Sequence, residues 1–511
     1  MKTNQWLPEQ QKLKGSLDWI TTLIPFCTIV SLCFLFLLFP QTSSSILKSI
    51  RFFLGDQLGS YYLIMGLGAF ICSLYAACSR YGNIKLGNLE RPQYTSFQWG
   101  SMVFTSGLAA DILFYSLCEW ILYSGEPHIT DMGSMEEWAS TYPLFHWGPI
   151  PWSFYLILAV AFGFMIHVRK RSKQKYSEAC RALLGKKVDG ILGKLIDLTA
   201  VFALLAGTAT TFSLATPLLS SGLSRVFGIK ENSLLTIGIL AVICVVYTLA
   251  VYFGMKGVTR LAASCVYLFL LLLAYFFLLG GEAPFILETG ITSMGNMVQN
   301  FIAMSTWTDA LRTSSFPQTW TIFYWAYWMV WCVATPFFIG SISNGRTIRQ
   351  TILGGYFWGL AGTFTSFIIL GNYGLGIQAH GTFDLLELYA QTGNLYQVIL
   401  AVFETMPLAK AGIALLAITM IAFYATSFDA LTMVASSYSY RSLGPDEEPD
   451  RRVKLFWAIL LMLLPIALIF AENSMANLQT VSIIAAFPIG FILILIVWSF
   501  FKDAKHYLDH E

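Results

Sequence analysis

Trp320-Thr321-Ile322-Phe323-Tyr324-Trp325-Ala326-Tyr327-Trp328-Met329-Val330-Trp331 is the stretch from which the rest of the chain is read. At about 100° per residue, Trp320, Tyr324, Tyr327, Trp328 and Trp331 share one face of a helix, and Thr335 and Phe338 continue it. Such rings, turned toward one another away from water, hold an ammonium ion that has no N–H to donate, at roughly 2 kcal/mol per desolvated ring. A methylated ammonium ion suits that wall. Aromatic residues at helical spacing also serve as packing, and Trp and Tyr collect at membrane surfaces as a belt. A belt occupies one depth, however, whereas this stretch advances about 16 Å along a helix.

Outward from it, the composition is that of a membrane protein. The 511 residues are 56% hydrophobic and 12% charged, with a mean hydropathy of +0.63, too little polar surface to cover a soluble globule of this size. The net charge of +2 argues against nucleic acid as a partner. No small-residue cleavage site follows the first apolar run, so that run reads as a retained transmembrane helix. The nine cysteines lie almost all inside apolar runs, with no CxxC pair and no His/Cys cluster. Neither a disulfide framework nor a zinc or haem site is expected. A membrane enzyme would need a nucleophile, metal cluster or cofactor motif, and the sequence carries none, so the chain is not read as an enzyme.

Apolar runs long enough to cross the hydrocarbon core fall at 17–39, 58–79, 97–123, 150–168, 195–221, 233–254, 262–281, 320–342, 350–371, 409–436, 453–471 and 479–501. The expected fold class is therefore an all-α polytopic membrane protein with twelve transmembrane helices. Arg169, Lys170, Arg171, Lys173 and Lys175 begin a basic connection after the fourth run, whereas Glu126, Asp131, Glu136 and Glu137 follow the third with no Lys or Arg. The positive-inside rule then puts both termini in the cytoplasm. Segments 288–302 and 394–405 are too polar to span and read as amphipathic surface helices. Residues 502–511 read as a short charged cytoplasmic tail.

The third run is unusual. Its Ser106-Gly107-Leu108-Ala109-Ala110-Asp111 segment combines small residues, a helix-loosening glycine and a carboxylate near mid-membrane. Weak helix beside an ionisable group is how carriers expose carbonyls to ions or substrate. Close packing against a neighbouring helix explains Gly107 equally well. It does not explain Asp111, because a carboxylate in hydrocarbon costs at least ~2.5–3.5 kcal/mol.

With these residues in view, the chain resembles the betaine/choline/carnitine transporter (BCCT) family over nearly its whole length. The most specific match is the 320–331 stretch continuing into Gly345-Arg346-Thr347-Ile348-Arg349; Phe145-His146-Trp147-Gly148-Pro149-Ile150-Pro151-Trp152, Lys256-Gly257-Val258 and Gly207-Thr208-Ala209-Thr210 are similar to three other family segments. The resemblance implies a LeuT-type fold: two leading helices in 1–96, a first five-helix repeat in 97–285, a surface helix and connection in 286–319, and a second, inverted repeat in 320–501. It also implies a homotrimer in the inner (plasma) membrane of a bacterium, with a small quaternary ammonium substrate.

Carried over position by position, the resemblance puts Trp147, Trp152, Tyr155, Tyr327, Trp328 and Trp331 in an aromatic box, with Trp320 and Tyr324 on an access route or at a second site. Thr335 and Cys265 stand where a cation-independent exchanger of the family has methionine and arginine, which disfavours that mechanism. Thr426 and Ser427 match a Thr-Ser pair that helps coordinate sodium in betaine carriers; hydroxyls also satisfy helix–helix contacts. Asp111 stands where betaine carriers have glycine and choline-type members have aspartate. A site for choline, which has no carboxylate of its own, gains from a fixed anion, and that anion can carry a proton when no cation is bound. The expectation is a secondary transporter of quaternary ammonium compounds with choline leading, coupled to Na+ or H+ and using no other cofactor. The alternatives are a carnitine/betaine symporter or exchanger and, from another class, a channel or osmosensing transceptor. Among lesser polar residues, Glu119 reads as a structural carboxylate or gate element, Asp429 as support for the Thr-Ser pair, His146 as a satisfied polar group, and Arg346 and Arg349 as cytoplasmic anchors.

Overall fold

The computed structural model describes residues 17–107, 109–171, 173–252, 254–443, 447–470 and 475–510. Leu108 and the side chains of Lys256 and Asp429 lie outside the described residues. The chain is helical throughout: α1 (Trp19–Leu38), α2 (Pro40–Arg51), α3 (Ser60–Cys78), α4 (Ser96–Thr105), α5 (Ala109–Ser124), α6 (Met135–His146), α7 (Pro149–Gly163), α8 (Ile191–Phe227), α9 (Ser233–Tyr252) and α10 (Gly254–Leu279) make up its first half. The second half holds α11 (Ala283–Thr306), α12 (Ile322–Trp331), α13 (Thr335–Ser341), α14 (Ile348–Ser366), α15 (Asn372–Ala379), α16 (Leu385–Thr392), α17 (Leu395–Glu404), α18 (Ala409–Tyr438), α19 (Arg451–Phe470) and α20 (Met475–His510).

Each of the twelve apolar runs coincides with a helix or with a bent pair. Among the described residues, seven helices are long and apolar enough to cross a membrane, and nine spans result when each bent pair counts as one. Helices α1, α9 and α19 cover the remaining three runs. The basic connection after α7 is tied back onto α20, whose Asp503 receives Arg169 at 3.0 Å and Arg171 at 2.7 Å. Segment 502–510 is thus the last turns of α20, folded against the body. Segment 288–302 lies within α11, which packs on α6 and turns Leu287, Ile291, Met294, Val298 and Ile302 outward.

Local sequence sets the helix ends. Thr95 and Gln98 form a capping box at the start of α4, and Thr347 and Gln350 form another at the start of α14. Trp147 caps the end of α6, Gly148 is the N-cap of α7, and Pro149 opens α7 in the first turn, where a missing N–H costs nothing.

Two bent helix pairs interrupt the spans. Helices α4 and α5 meet at 62° around Ser106–Gly107, and α12 and α13 meet at 47° around Cys332–Ala334. The second break follows from Pro336, which cannot donate to the Cys332 carbonyl four residues earlier and would clash with it. That carbonyl instead accepts the Tyr176 hydroxyl. The two breaks are joined: Thr335 Oγ1 donates to the Ser106 carbonyl at 3.2 Å. All ten residues of α12 are buried, enclosed by α3, α7, α8 and α20.

Candidate functional site

Trp328 is the hub of an aromatic cluster. Its ring lies 4.8 Å from Tyr155, 5.4 Å from Trp152 and 5.7 Å from Trp147, with interplanar angles of 50°, 62° and 68°. The rings meet in direct tilted and edge-to-face contacts, and their faces are the kind of surface that holds a bulky cation. Trp147 sits at the α6–α7 break, and Trp152 and Tyr155 occupy the first turns of α7. Gly359 on α14 makes room for them: a Cβ there would come within 2.5 Å of the Trp152 ring. The indole N–H groups of Trp152 and Trp328 have no protein acceptor.

Tyr327 and Trp331 turn to the neighbouring arc of α12. The Trp331 indole lies over Gly207 of α8, where a Cβ would approach it to 3.3 Å. Tyr327 stacks on Phe323, and its hydroxyl donates to Asp111 Oδ2 at 2.8 Å. Thr211 Oγ1 lies 2.8 Å from the same oxygen and from the Tyr327 hydroxyl. Asp111 is fully buried, and its Oδ1 has no protein partner. Tyr155 links this carboxylate to the cluster: it is within electrostatic reach of Asp111 and packs beside Gly107 and Thr335.

The α4–α5 break frees three carbonyls, and hydroxyls gather on them. Thr426 Oγ1 donates to Thr105 O at 3.0 Å, Ser427 Oγ to Gly107 O at 2.8 Å and Thr335 Oγ1 to Ser106 O. Cys265 of α10 is buried beside Thr426. Hydroxyl and carbonyl oxygens are the donor set of a hard monovalent cation.

A second buried carboxylate adjoins the cluster. Glu119 Oε2 accepts the Trp147 indole N–H at 2.7 Å, and Oε1 lies 2.5 Å from the Tyr123 hydroxyl. Tyr123 in turn lies 2.6 Å from His146 Nδ1, whose Nε2 lies 3.0 Å from Thr321 Oγ1. Tyr324 stacks on His146 at 4.8 Å and edges onto Trp147 at 5.6 Å. Trp320 is farther out, its indole donating to half-exposed Glu126 at 2.7 Å. Arg346 stacks over Trp99 at 4.5 Å, and Arg349 donates to the Ala77 carbonyl.

Three members of the site escaped the sequence reading. Thr211 follows the Gly207–Thr210 motif by one residue and sits one helical turn from Gly207, on the face that meets Asp111. Tyr115 and Tyr123 complete a spacing of four, Asp111-Tyr115-Glu119-Tyr123, that lays a polar and aromatic strip along α5. Tyr115 contacts both Trp147, at 5.4 Å, and Tyr324, at 5.7 Å.

The chain is similar to several known proteins. A carnitine transporter of Acinetobacter baumannii is 28% identical over 488 residues, covering 93% of this chain and 87% of that protein. The glycine betaine transporter OpuD of Bacillus subtilis is 30% identical over 477 residues, covering 91% and 90%. A solved structure of a Na+-coupled sialic acid symporter in a substrate-bound outward-open state aligns over 86% of each chain, at 14% identity and a TM-score of 0.47. The model of the BCCT family, betaine/carnitine/choline transporters, matches residues 20–508, and this chain is a member of that family.

Proposed function

We propose that the protein is a secondary transporter that moves a trimethylammonium compound by alternating access, with a cationic substrate of the choline type preferred. The trimethylammonium group sits among Trp147, Trp152, Tyr155 and Trp328, whose faces replace its hydration. The observation that carries the preference is Asp111: a fully buried carboxylate with one oxygen held by Tyr327 and Thr211 and the other without a protein partner. A fixed anion there offsets the desolvation of a substrate that brings no carboxylate. Tyr327 and Thr335 orient the polar end, and Trp331 closes the α8 side.

The hydroxyls of Thr426 and Ser427, gathered on carbonyls of the α4–α5 break, support a coupling Na+ held by those oxygens; Asp111 supports a coupling H+ as the rival. Trp320 and Tyr324 line the way in. A second reading, carnitine or a betaine, is favoured by the relatives, which are named for carnitine and glycine betaine. In that case the substrate carboxylate takes hydrogen bonds from Tyr327 and Thr335. A homotrimer with cytoplasmic termini in a bacterial inner membrane accompanies either reading.

The test is uptake of labelled choline, carnitine and glycine betaine into proteoliposomes, with sodium and proton gradients imposed separately and with substrate preloaded inside. Gradient-driven choline uptake is the expected result. Carnitine or betaine movement that requires only internal substrate makes the protein an exchanger and removes Asp111 from selectivity. Flux that does not saturate with concentration marks a channel.

A further inference from the structure

We infer that Glu119, Tyr123, His146 and Thr321 form a proton relay that sets how firmly Trp147 is held, an inference that rests on reading Trp147 as a wall of the substrate cage. All five side chains are buried. The relay follows from counting hydrogens. Tyr123 has one hydroxyl hydrogen and two close partners, Glu119 Oε1 at 2.5 Å and His146 Nδ1 at 2.6 Å. Two arrangements satisfy the chain with a neutral imidazole. With Glu119 as a carboxylate, Tyr123 donates to Oε1, His146 Nδ1–H donates to Tyr123, and Thr321 donates to Nε2. With Glu119 as the acid, Glu119 donates to Tyr123, Tyr123 donates to Nδ1, and Nε2–H donates to Thr321.

The second arrangement holds one proton more than the first. A proton received at Nε2 moves Nδ1–H onto the Tyr123 oxygen and the Tyr123 hydrogen onto Oε1, leaving every heavy atom in place and every hydrogen bond made. Trp147 reads the result, because its N–H donates to the other Glu119 oxygen at 2.7 Å. A bond to a carboxylate is about twice as strong as one to a neutral acid. The titratable groups around Glu119 are Tyr115, Cys118 and Tyr123 of α5 and Tyr324 of α12, and Tyr142 of α6 packs against Tyr123 and His146. His146 Nδ1, 3.9 Å from Glu119 Oε1, is the one ionisable nitrogen within ion-pair distance of Glu119 among the described residues, and it is neutral in both arrangements. Half-exposed Glu126 accepts the indole N–H of Trp320, the residue that precedes Thr321 in the chain.

The experiment pairs two readouts on the full-length protein in liposomes. Infrared difference spectra between pH 5 and pH 9 are expected to show one carboxyl band that is lost in Glu119→Gln, together with a histidine tautomer change that is lost in His146→Gln. Tyr123→Phe, which keeps the shape and removes the linking hydroxyl, uncouples the two signals. Tryptophan-fluorescence titrations with choline, carnitine and glycine betaine are expected to give a Kd that differs roughly fivefold between the pH extremes in the wild type and is pH-independent in Tyr123→Phe. A wild-type spectrum without a Glu119-dependent carboxyl band, or a tautomer response unchanged in Tyr123→Phe, overturns the relay. Coupled infrared signals with no binding of any of the three compounds keep the relay and overturn the cage reading instead.

Discussion

Asp111→Asn separates charge from shape at the centre of the site. The amide oxygen still accepts from Tyr327 and Thr211, each at 2.8 Å from Oδ2 in the wild type, so the local hydrogen bonds survive. What disappears is one negative charge. For an ammonium held about 6 Å away, the reach of a cation over a ring, an effective dielectric constant of about 20 gives an attraction of roughly 3 kcal/mol. Each 1.4 kcal/mol is tenfold, so choline affinity should fall about 100-fold. A zwitterion brings a carboxylate that Asp111 repels, so glycine betaine and carnitine should bind as well or better in the variant. The assay is tryptophan-fluorescence binding on the purified protein with all three compounds, followed by uptake in proteoliposomes. Choline affinity within about threefold of wild type, or a loss confined to the zwitterions, refutes the reasoning.

Trp328→Ala removes the ring that three others surround, and the affinity for any trimethylammonium ligand should drop about 30-fold by equilibrium titration, corresponding to roughly 2 kcal/mol. Gly359→Val drives a side chain into Trp152, whose ring a Cβ would already approach to 2.5 Å; it should weaken binding as much as Trp152→Ala does, measured side by side. Thr426→Ala with Ser427→Ala should raise the sodium concentration for half-maximal uptake at least about tenfold if Na+ is the coupling ion, while leaving ligand binding at saturating sodium near normal. His128, in the short helix between α5 and α6, has its pKa pushed down to about 4 by burial. Its neutral form is favoured in the folded state, so stability is full above the unfolded value near 6.5 and declines as pH falls from there toward 4. His128→Gln should reduce the drop in Tm between pH 7 and pH 5, read by thermal denaturation in detergent.

What the sequence could disclose is what short-range physics governs. Hydropathy requires every backbone group in a span to be satisfied within its own helix, so the twelve apolar runs can be read one at a time. Gly107 weakens its helix by its own covalent structure, which marks the first break before any packing is known; Pro336 carries the same kind of local signal for the second, which the sequence reading passed over. The cost of a buried carboxylate marks Asp111 in the same way.

Which rings meet was decided only by the tertiary structure. Helical spacing places Tyr327, Trp328 and Trp331 within one broad arc, yet α7 approaches one edge of that arc and α8 the other. Trp328 therefore joins Trp147, Trp152 and Tyr155, while Tyr327 goes to Asp111 and Trp331 to Gly207. Thr211 acquires its role from a carboxylate 100 residues away in sequence. Periodicity fixes directions within one helix; which neighbour each direction meets depends on the packing of side chains from distant segments, and no local pattern contains that.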